Sequence, residues 1–477
     1  MRPLEVSLVL LTTGAVVCLL MGRWPGIARL LMIAALLVLL AHGVFEGAHW
    51  QMIPAYAATG ILCLAVWKPT RNRIRFQRLM AWPALLLLSG SIVASFLLPM
   101  FRLPEPTGPY AVGTSILYLK DPTRVEDAAP GGGSARELMV QLWYPAQPSH
   151  NRFARYREPR ETNALSSYQS MIRTNSRLDA PVALAGAPFP VVLFNHGWGG
   201  RRTNDTFLTE ELASRGYIVA SIDNTYNASQ VAFPDGRVVF GIASNVVNDP
   251  DSHTVEEVKA VWDKELAKSV ADQRFVLDRL ESMNRSTGSP WFGRLDTHNV
   301  GAAGHSFGGA AATAICAEDR RVHAAINMDG WFFGAIHERG ANQPLLVMDS
   351  TAEETGVTPD SHKTVDATLD DTDFADVESS LHTFGGYLLL VKGAAHDDFT
   401  DQPLTSPLRS LSYRGAIPTK EIQSIVRSYV VAFFGKTLRG EDPAILRSRT
   451  GPYAEASLES WQANKTAIIP QAGRDGQ

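Results

Sequence analysis

The chain is poor in cysteine: among 477 residues it has only Cys18, Cys63 and Cys316. The first two lie in apolar stretches near the N-terminus and the third follows a glycine-rich turn, so the more polar part of the chain holds a single cysteine. An internal disulfide framework is therefore excluded there, and stability must come from a large apolar core. An excess of charge of either sign is also missing. Forty-four Lys and Arg against 48 Asp and Glu give a net charge of -4, which argues against a nucleic acid partner. A third scarcity is local, because the first hundred residues contain few ionisable groups while the remainder has the mixed composition of a soluble protein.

That contrast divides the chain into a membrane region, residues 1–101, and a second domain, residues 102–477. The first contains four apolar stretches, at about residues 4–21, 27–44, 52–67 and 81–100. Each approaches the roughly 20 residues that cross a bilayer as a helix. A secretory signal would account for the first stretch alone, but three more follow and no small-residue cleavage site is evident. Lys68, Arg71, Arg73, Arg75 and Arg78 lie between the third and fourth stretches, and Arg23 between the first and second. The turn around His42, Glu46 and His49 has no Lys or Arg. Since Lys and Arg stay on the cytoplasmic side, both ends of the bundle face outward and the second domain is extracytoplasmic, as on a bacterial inner or plasma membrane. A transporter or cofactor site with His42 and His49 as ligands is the rival reading. The scarcity of intramembrane ionisable groups favours an anchor.

A Pro-rich hinge, Phe101 to Tyr110, follows, and Ser115 to Lys120 and Glu137 to Tyr144 read as two strands. From Phe189 the pattern alternates. Strands are expected at Pro190 to Asn195, Tyr217 to Asp223, Val300 to Ala303, Val322 to Met328, Pro344 to Asp349 and Tyr387 to Val391. Helices are expected at Asp205 to Arg215, Thr254 to Met283, Gly309 to Ala317 and Thr419 to Leu438. Such alternation predicts a mostly parallel sheet covered by helices on both faces.

One stretch gives a side chain a reason to be reactive. Asn299 to Ala310 reads N-V-G-A-A-G-H-S-F-G-G-A, in which Gly304, Ser306 and Gly308 form G-x-S-x-G between an apolar strand and an Ala-rich helix. A reversal that tight strains the serine and leaves room only for small residues two positions to either side, which makes it a nucleophile elbow in an α/β-hydrolase fold. A serine hydroxyl needs a base, and the base needs a carboxylate to orient it. His396 suits the first role, because V-K-G-A-A-H-D-D-F follows the last core strand. Two aspartates end strands after the elbow: Asp329 in N-M-D-G-W and Asp349 in L-V-M-D-S. Position alone slightly favours Asp349. The oxyanion formed in acyl transfer needs N–H donors; Phe307, next to the nucleophile, and Trp198 in H-G-W-G-G are the candidates. Asp397, Asp398 and Asp401 read as a solvated loop. Trp331, Phe332 and Phe333 could wall an acyl pocket, and the acidic stretch Asp360 to Glu378 is expected to be a lid or a loop.

Several motifs together, T-G-P-Y-A-V-G near Thr107, L-W-Y-P near Leu142, F-N-H-G-W-G-G, G-H-S-F-G-G-A and M-D-G-W, resemble the plasma-type platelet-activating factor acetylhydrolases and their bacterial relatives over roughly Thr107 to Leu438. The resemblance implies Ser306 as nucleophile, His396 as base, Asp329 rather than Asp349 as acid, and Trp198 and Phe307 as oxyanion donors. It also implies short-acyl phospholipids or other small esters as substrates, with no cofactor and no metal. Trp198 is bulkier than that family leads one to expect, and the four-helix region has no counterpart in the secreted enzymes. The expectation is a membrane-anchored serine ester hydrolase. Its rivals are a broad carboxylesterase or depolymerase, and a membrane sensor whose hydrolase-like domain only binds.

Overall fold

The computed structural model describes residues 1–68, 72–129, 131–242, 249–332, 336, 340, 341, 343–350, 365–449 and 451–462, with backbone alone for 365–374. Arg71, Phe333 and the start of the acidic stretch, 360–364, lie outside the described residues. The chain forms two compact units. The first is Met1–Arg102 together with Arg155–Arg173 and Leu404–Ser412; the second is Leu103–Ala154, Thr174–Pro403 and Tyr413–Gln477. By composition the two short stretches belong to the larger part, yet long-range contacts group them with the helices. Tyr156 packs edge-on against Phe101 at 5.1 Å, and Trp50 Nε1 donates to the Leu165 carbonyl at 2.8 Å.

In the first unit, helices α1 (Pro3–Met21), α2 (Pro25–Phe45), α3 (Ile53–Trp67) and α4 (Arg73–Leu97) pack as a bundle. Counting the 3-10 turn Trp50–Met52 that leads into α3, all four helical segments are long and apolar enough to cross a membrane. Small residues fill the interior: Ala15, Ala28, Ala35, Ala55, Ala58, Ala65, Ala81 and Ala84 are buried, which lets the backbones approach closely. Large apolar side chains point outward instead, among them Leu10, Leu30, Leu37, Leu40, Val44, Leu64 and Leu86. That arrangement suits hydrocarbon rather than water as the surroundings.

Helix α4 starts eight residues before the expected 81, and the reason is hydrogen bonding rather than hydropathy. Arg73 Nη2 donates to the Val66 carbonyl at 3.1 Å and Arg78 Nε to the Leu20 carbonyl at 3.0 Å. The basic residues therefore ride on the first turns of α4 and satisfy carbonyls left open at the C-terminal ends of α3 and α1.

The second unit is built on an 11-stranded sheet in the order β13-β12-β11-β10-β9-β5-β6-β2-β1-β4-β3. Its centre is six parallel strands: β5 (Phe189–Asn195), β6 (Ile218–Asp223), β9 (Leu295–His305), β10 (Val322–Met328), β11 (Leu345–Ser350) and β12 (Gly386–Val391). All of β5, all of β6 and most of β9 and β10 are buried, as expected of parallel strands covered on both faces. At one edge β1 (Ala111–Glu126) and β2 (Ser134–Ala146) form an antiparallel hairpin longer than its apolar cores suggest. Strand β13 (Ala456–Trp461) adds an antiparallel edge at the other side, from a stretch without a distinct strand pattern. Strands β3 (Phe153–Arg155) and β4 (Arg173–Leu178) extend the β1 side, and β7 (Gln230–Ala232) pairs with β8 (Val238–Phe240) as a separate hairpin.

The helices α5 (Thr206–Ser214), α6 (Val255–Arg285), α7 (Phe307–Glu318) and α9 (Thr419–Arg439) match their expected positions closely, and α8 (Val365–Phe384) is new. The acidic stretch read as a lid or loop is thus helical from Val365 onward. Order along the sheet places a topological switch between β5 and β9, because β5 connects onward to β6 on one side and β9 begins the run on the other. The carboxyl ends of such strands leave a crevice where ligands bind.

A buried ion network ties α6 to the hairpin edge. Arg136 reaches Asp272 on α6 with Nε to Oδ1 at 3.1 Å and Nη2 to Oδ2 at 2.6 Å, and it also donates to Glu126 and to the Thr225 carbonyl. Asp272 is fully enclosed, and the guanidinium of Arg136 overcomes the burial that would otherwise raise its carboxyl. Removing one partner strands the other in low dielectric. Arg136→Ala is expected to lower the unfolding free energy by about 3–5 kcal/mol, read as a lower thermal midpoint; a variant as stable as the parent would show the network to be dispensable.

Candidate active site

Ser306 occupies the turn between β9 and α7 with φ 55° and ψ -129°. A non-glycine residue there stores on the order of 1–3 kcal/mol, which the surrounding packing must hold. The flanking glycines show how tight that packing is. A Cβ on Gly304 would stand 2.3 Å from the Gly308 carbonyl carbon, and one on Gly308 would stand 2.2 Å from the Asn195 oxygen at the end of β5. Any larger residue would push the helix start off the sheet.

Asp329 follows β10 and also has a left-handed backbone, φ 59°. Its carboxylate accepts from the Ser350 N–H at 2.6 Å and the Ser350 hydroxyl at 3.3 Å. His396 lies in a short turn after β12 and donates from Nδ1 to Asp329 Oδ2 at 2.7 Å. Because a carboxylate only accepts, this bond sets the imidazole tautomer, leaving the Nε2 lone pair for another proton. Burial pushes the Asp329 carboxyl up, but the His396 hydrogen bond and charge, a hydrogen bond from Asp349 and the Ser350 N–H outweigh it and hold the group below the usual carboxylate range.

The two rival acids are therefore neighbours. Strands β10 and β11 run in register with Met328 beside Met348, so Asp329 and Asp349 emerge side by side.

The loop after β5 runs against the nucleophile: a Cβ on Gly197 would lie 3.1 Å from Ser306 Cβ. Trp198 follows it. Among the described residues the N–H groups of Trp198 and Phe307 have no intramolecular acceptor. The Trp198 ring stacks edge-on to Trp262 at 5.1 Å and to Phe307 at 5.6 Å, and Trp262 also meets Trp331 at 6.4 Å. Trp262 belongs to α6, far from any motif, and only the tertiary fold brings it here. Of the expected acyl wall, Trp331 joins this cluster, while Phe332 is 5% exposed and packs in the core.

Two further groups escaped sequence reasoning. His305 is buried and donates from Nε2 to the His396 carbonyl at 2.8 Å, with the two rings 4.5 Å apart. Burial, together with the neighbouring His396, drives its pKa down to about 3, so it stays neutral. The acidic residues after His396 are not a solvated loop. Asp398 is buried and accepts from the Ala395 and Gly415 N–H groups at 2.8 and 2.7 Å. Asp401, 1% exposed, caps α5 by accepting from Thr206 N–H at 2.8 Å and Phe207 N–H at 3.2 Å. Charged residue types suggested solvent, but backbone N–H groups without other acceptors drew these two inside.

Comparison with known proteins gives the family. A model of the family described as platelet-activating factor acetylhydrolase, isoform II, matches residues 97–234 and 289–443. The platelet-activating factor acetylhydrolase of Cavia porcellus is 22% identical over 378 residues, which cover 70% of this chain and 78% of that protein. A probable 1-alkyl-2-acetylglycerophosphocholine esterase of Arthroderma benhamiae is 24% identical over 408 residues, covering 77% and 96%. Among solved structures, the ferulic acid esterase of Streptomyces cinnamoneus superposes with a TM-score of 0.60 at 30% identity, covering 75% of this chain and 99% of that one. The matched segments contain the elbow, both aspartates, His396 and the Gly197 loop, and the chain belongs to the platelet-activating factor acetylhydrolase isoform II family, as an ester hydrolase on the α/β-hydrolase fold.

Proposed function

We propose that the chain is a membrane-anchored serine esterase in which Ser306 attacks an ester carbonyl, His396 takes and returns the proton, and Asp329 orients the imidazole. The observation that carries this reading is the 2.7 Å bond from His396 Nδ1 to Asp329 Oδ2, made while the strained Ser306 projects from the adjacent strand end. The acyl-enzyme is then released by water. The N–H groups of Phe307 and Trp198 stabilise the oxyanion. Asp349 supports Asp329 rather than replacing it, since the strand register sets it beside Asp329 while the His396 bond goes to Asp329.

The substrate class is a short-acyl phospholipid or another small ester, supported by the named relatives and by an anchor that keeps the site near lipid. A second reading has its own support: the aromatic cluster of Trp198, Trp262 and Trp331 could hold an aromatic acyl group, the chemistry named for the structural neighbour. The basic links put the bundle's loop between α3 and α4 in the cytoplasm and the esterase outside. The Arg73 and Arg78 contacts fit a compact, positively charged cytoplasmic end.

The full-length chain should label with a fluorophosphonate and lose the label in Ser306→Ala. Asp329→Asn should lower turnover by about 10⁴-fold through the wrong tautomer, while Asp349→Asn should stay within about tenfold, because an amide can still donate to Asp329. The reverse ranking would assign the acid to Asp349, and an unlabelled wild type would favour a binding-only domain. Rates on a phospholipid with an acetyl second chain, on its long-chain analogue and on methyl ferulate rank the substrate readings; no preference for the acetyl lipid removes the first of them. Protease added to intact spheroplasts should clip the esterase unit but not the loop between α3 and α4, and protection of the esterase unit would invert the topology.

His305 gives a pH prediction with a definite sign. Its folded pKa of about 3 lies below the ordinary 6.5, so between those values the unfolded chain binds the extra proton. Its contribution to stability is fully present above about pH 6.5 and is lost as pH falls, by up to about 1.4 kcal/mol per unit. Buried Glu210, pushed up to about 7 by burial, pulls the other way, because protonation then favours the folded form. The readout is therefore a difference: from pH 7 to pH 4 the thermal midpoint of the wild type should fall further than that of His305→Gln, and parallel curves would show His305 to be titratable in the fold.

A further inference from the structure

One end of the helical bundle encloses a cluster of ionisable side chains. Glu5 on α1, His42 on α2 and His49 just before α3 are all buried, at 0%, 0% and 7% exposure. Each offers a ligand atom, and the three atoms lie within 4.8 Å of one another. Their hydrogen-bond partners fix which atoms carry protons.

His42 Nδ1 lies 2.9 Å from Glu46 Oε2, and Glu46 Oε1 accepts from the Leu4 N–H at 3.0 Å. Paired with a carboxylate, Nδ1 carries the proton and Nε2 accepts from the Tyr56 hydroxyl at 2.6 Å. His49 Nδ1 lies 2.8 Å from Gln51 Oε1. The orientation of that amide is set by its other end, because Gln51 Nε2 donates to the Leu98 carbonyl at 3.2 Å. So His49 Nδ1 is also the protonated nitrogen, and its Nε2 lone pair faces Glu5 Oε1 at 2.9 Å. Glu5 in turn accepts from Arg2, through the backbone N–H on Oε2 at 2.8 Å and through the guanidinium on Oε1, and this keeps it a carboxylate.

Two acceptors thus face each other at hydrogen-bond distance in a buried site, which is repulsive unless a cation lies between them. A proton on His49 would satisfy that one contact. It would leave a second imidazole nitrogen, His42 Nε2, within reach of the same point, where turning the Tyr56 hydroxyl aside frees its lone pair for an ion. It would not explain why each histidine has its outer nitrogen anchored by a carboxylate or an amide oxygen, the arrangement that fixes ring orientation in metal sites. We infer that Glu5, His42 and His49 bind a divalent metal ion of the zinc class, with the Tyr56 hydroxyl beside the fourth position. Two imidazoles and a carboxylate suit Zn²⁺. Tetrahedral ligands at about 2.0–2.1 Å stand about 3.3 Å apart, so the Glu5 and His49 side chains need part only slightly to admit the ion. Bound there, it would link the first turn of α1 to the connection between α2 and α3 and close that end of the bundle.

The full-length chain, purified in detergent, stripped with a chelator and titrated with Zn²⁺, is expected to bind one ion per chain and to gain thermal stability on loading. Glu5→Gln and His49→Gln should each weaken binding by about 100-fold or more, while His150→Gln, in an exposed loop, should bind like the wild type. Co²⁺ loading of the wild type should give the intense visible absorption of a four-coordinate site, a reading that does not depend on any variant folding. Stoichiometric binding lost in both ligand variants, or the four-coordinate cobalt spectrum, supports the site. Absence of both, or equal binding by wild type and ligand variants, would overturn it and leave a proton as the cation between Glu5 and His49.

Discussion

The catalytic unit depends on how closely β9 and α7 can turn against the end of β5. The helix start touches the Asn195 carbonyl, leaving no room for a side chain at Gly308, and Ser306 is held at φ 55° as a result. The Ser306 N–H reaches the Met328 carbonyl at 2.8 Å, so the same turn is tied to β10, the strand that delivers Asp329. The β5 loop passes beside the serine for the same reason, since β5 and β9 are adjacent at the switch in strand order. One steric constraint thus sets Ser306, the strand end that carries Asp329 and the loop of Gly197 and Trp198 beside one another before any electrostatics is considered.

The acid site shows a second kind of economy. Parallel register sets Asp329 and Asp349 next to each other, and two carboxylates in one buried place cannot both ionise freely. The Ser350 N–H and the His396 imidazole both favour charge on Asp329. The left-handed backbone at Asp329 turns its side chain toward His396, while regular strand geometry continues through Asp349. The histidine loop is secured separately, by His305 beneath the His396 carbonyl and by Asp398 between Ala395 and Gly415.

Much of this was legible beforehand because it is local. The strand, elbow and helix around Ser306, the alternation of six parallel strands with helices, and the four apolar spans all follow from short-range pattern, and their bounds shifted most at α4 and at β9, which begins at Leu295 rather than Val300. What was not legible depended on contacts between distant segments. Hydropathy could not show that Arg73 and Arg78 would cap carbonyls of α3 and α1, so the start of α4 was misplaced. Nor could it show that Asp398 and Asp401 would find backbone N–H groups and become buried. Trp262 carries no motif, and its place beside Trp198 and Trp331 exists only in the fold. Between Asp329 and Asp349 position in the chain slightly favoured Asp349 and the N-M-D-G-W resemblance pointed to Asp329; the hydrogen bond from His396 to Asp329 is a tertiary contact that leaves no trace in composition or spacing.

The bundle poses the same problem with far fewer polar groups. Its middle holds no charged residue and only a few buried hydroxyls such as Thr12, Thr59 and Ser91, so its charged residues gather at the two ends, and the ends differ in kind. One has arginines that satisfy open carbonyls; the other has carboxylates and imidazoles enclosed with Arg2 and Tyr56. Arginines at a helix terminus can reach the membrane interface along their own stems, so the first end needs no special partner. The second end has no such escape, because Glu5, His42 and His49 are buried against one another. A sparse, enclosed polar cluster of this kind persists only if its charges are closely matched, and that requirement makes the identity of the cation between Glu5 and His49 a question about what holds the bundle together.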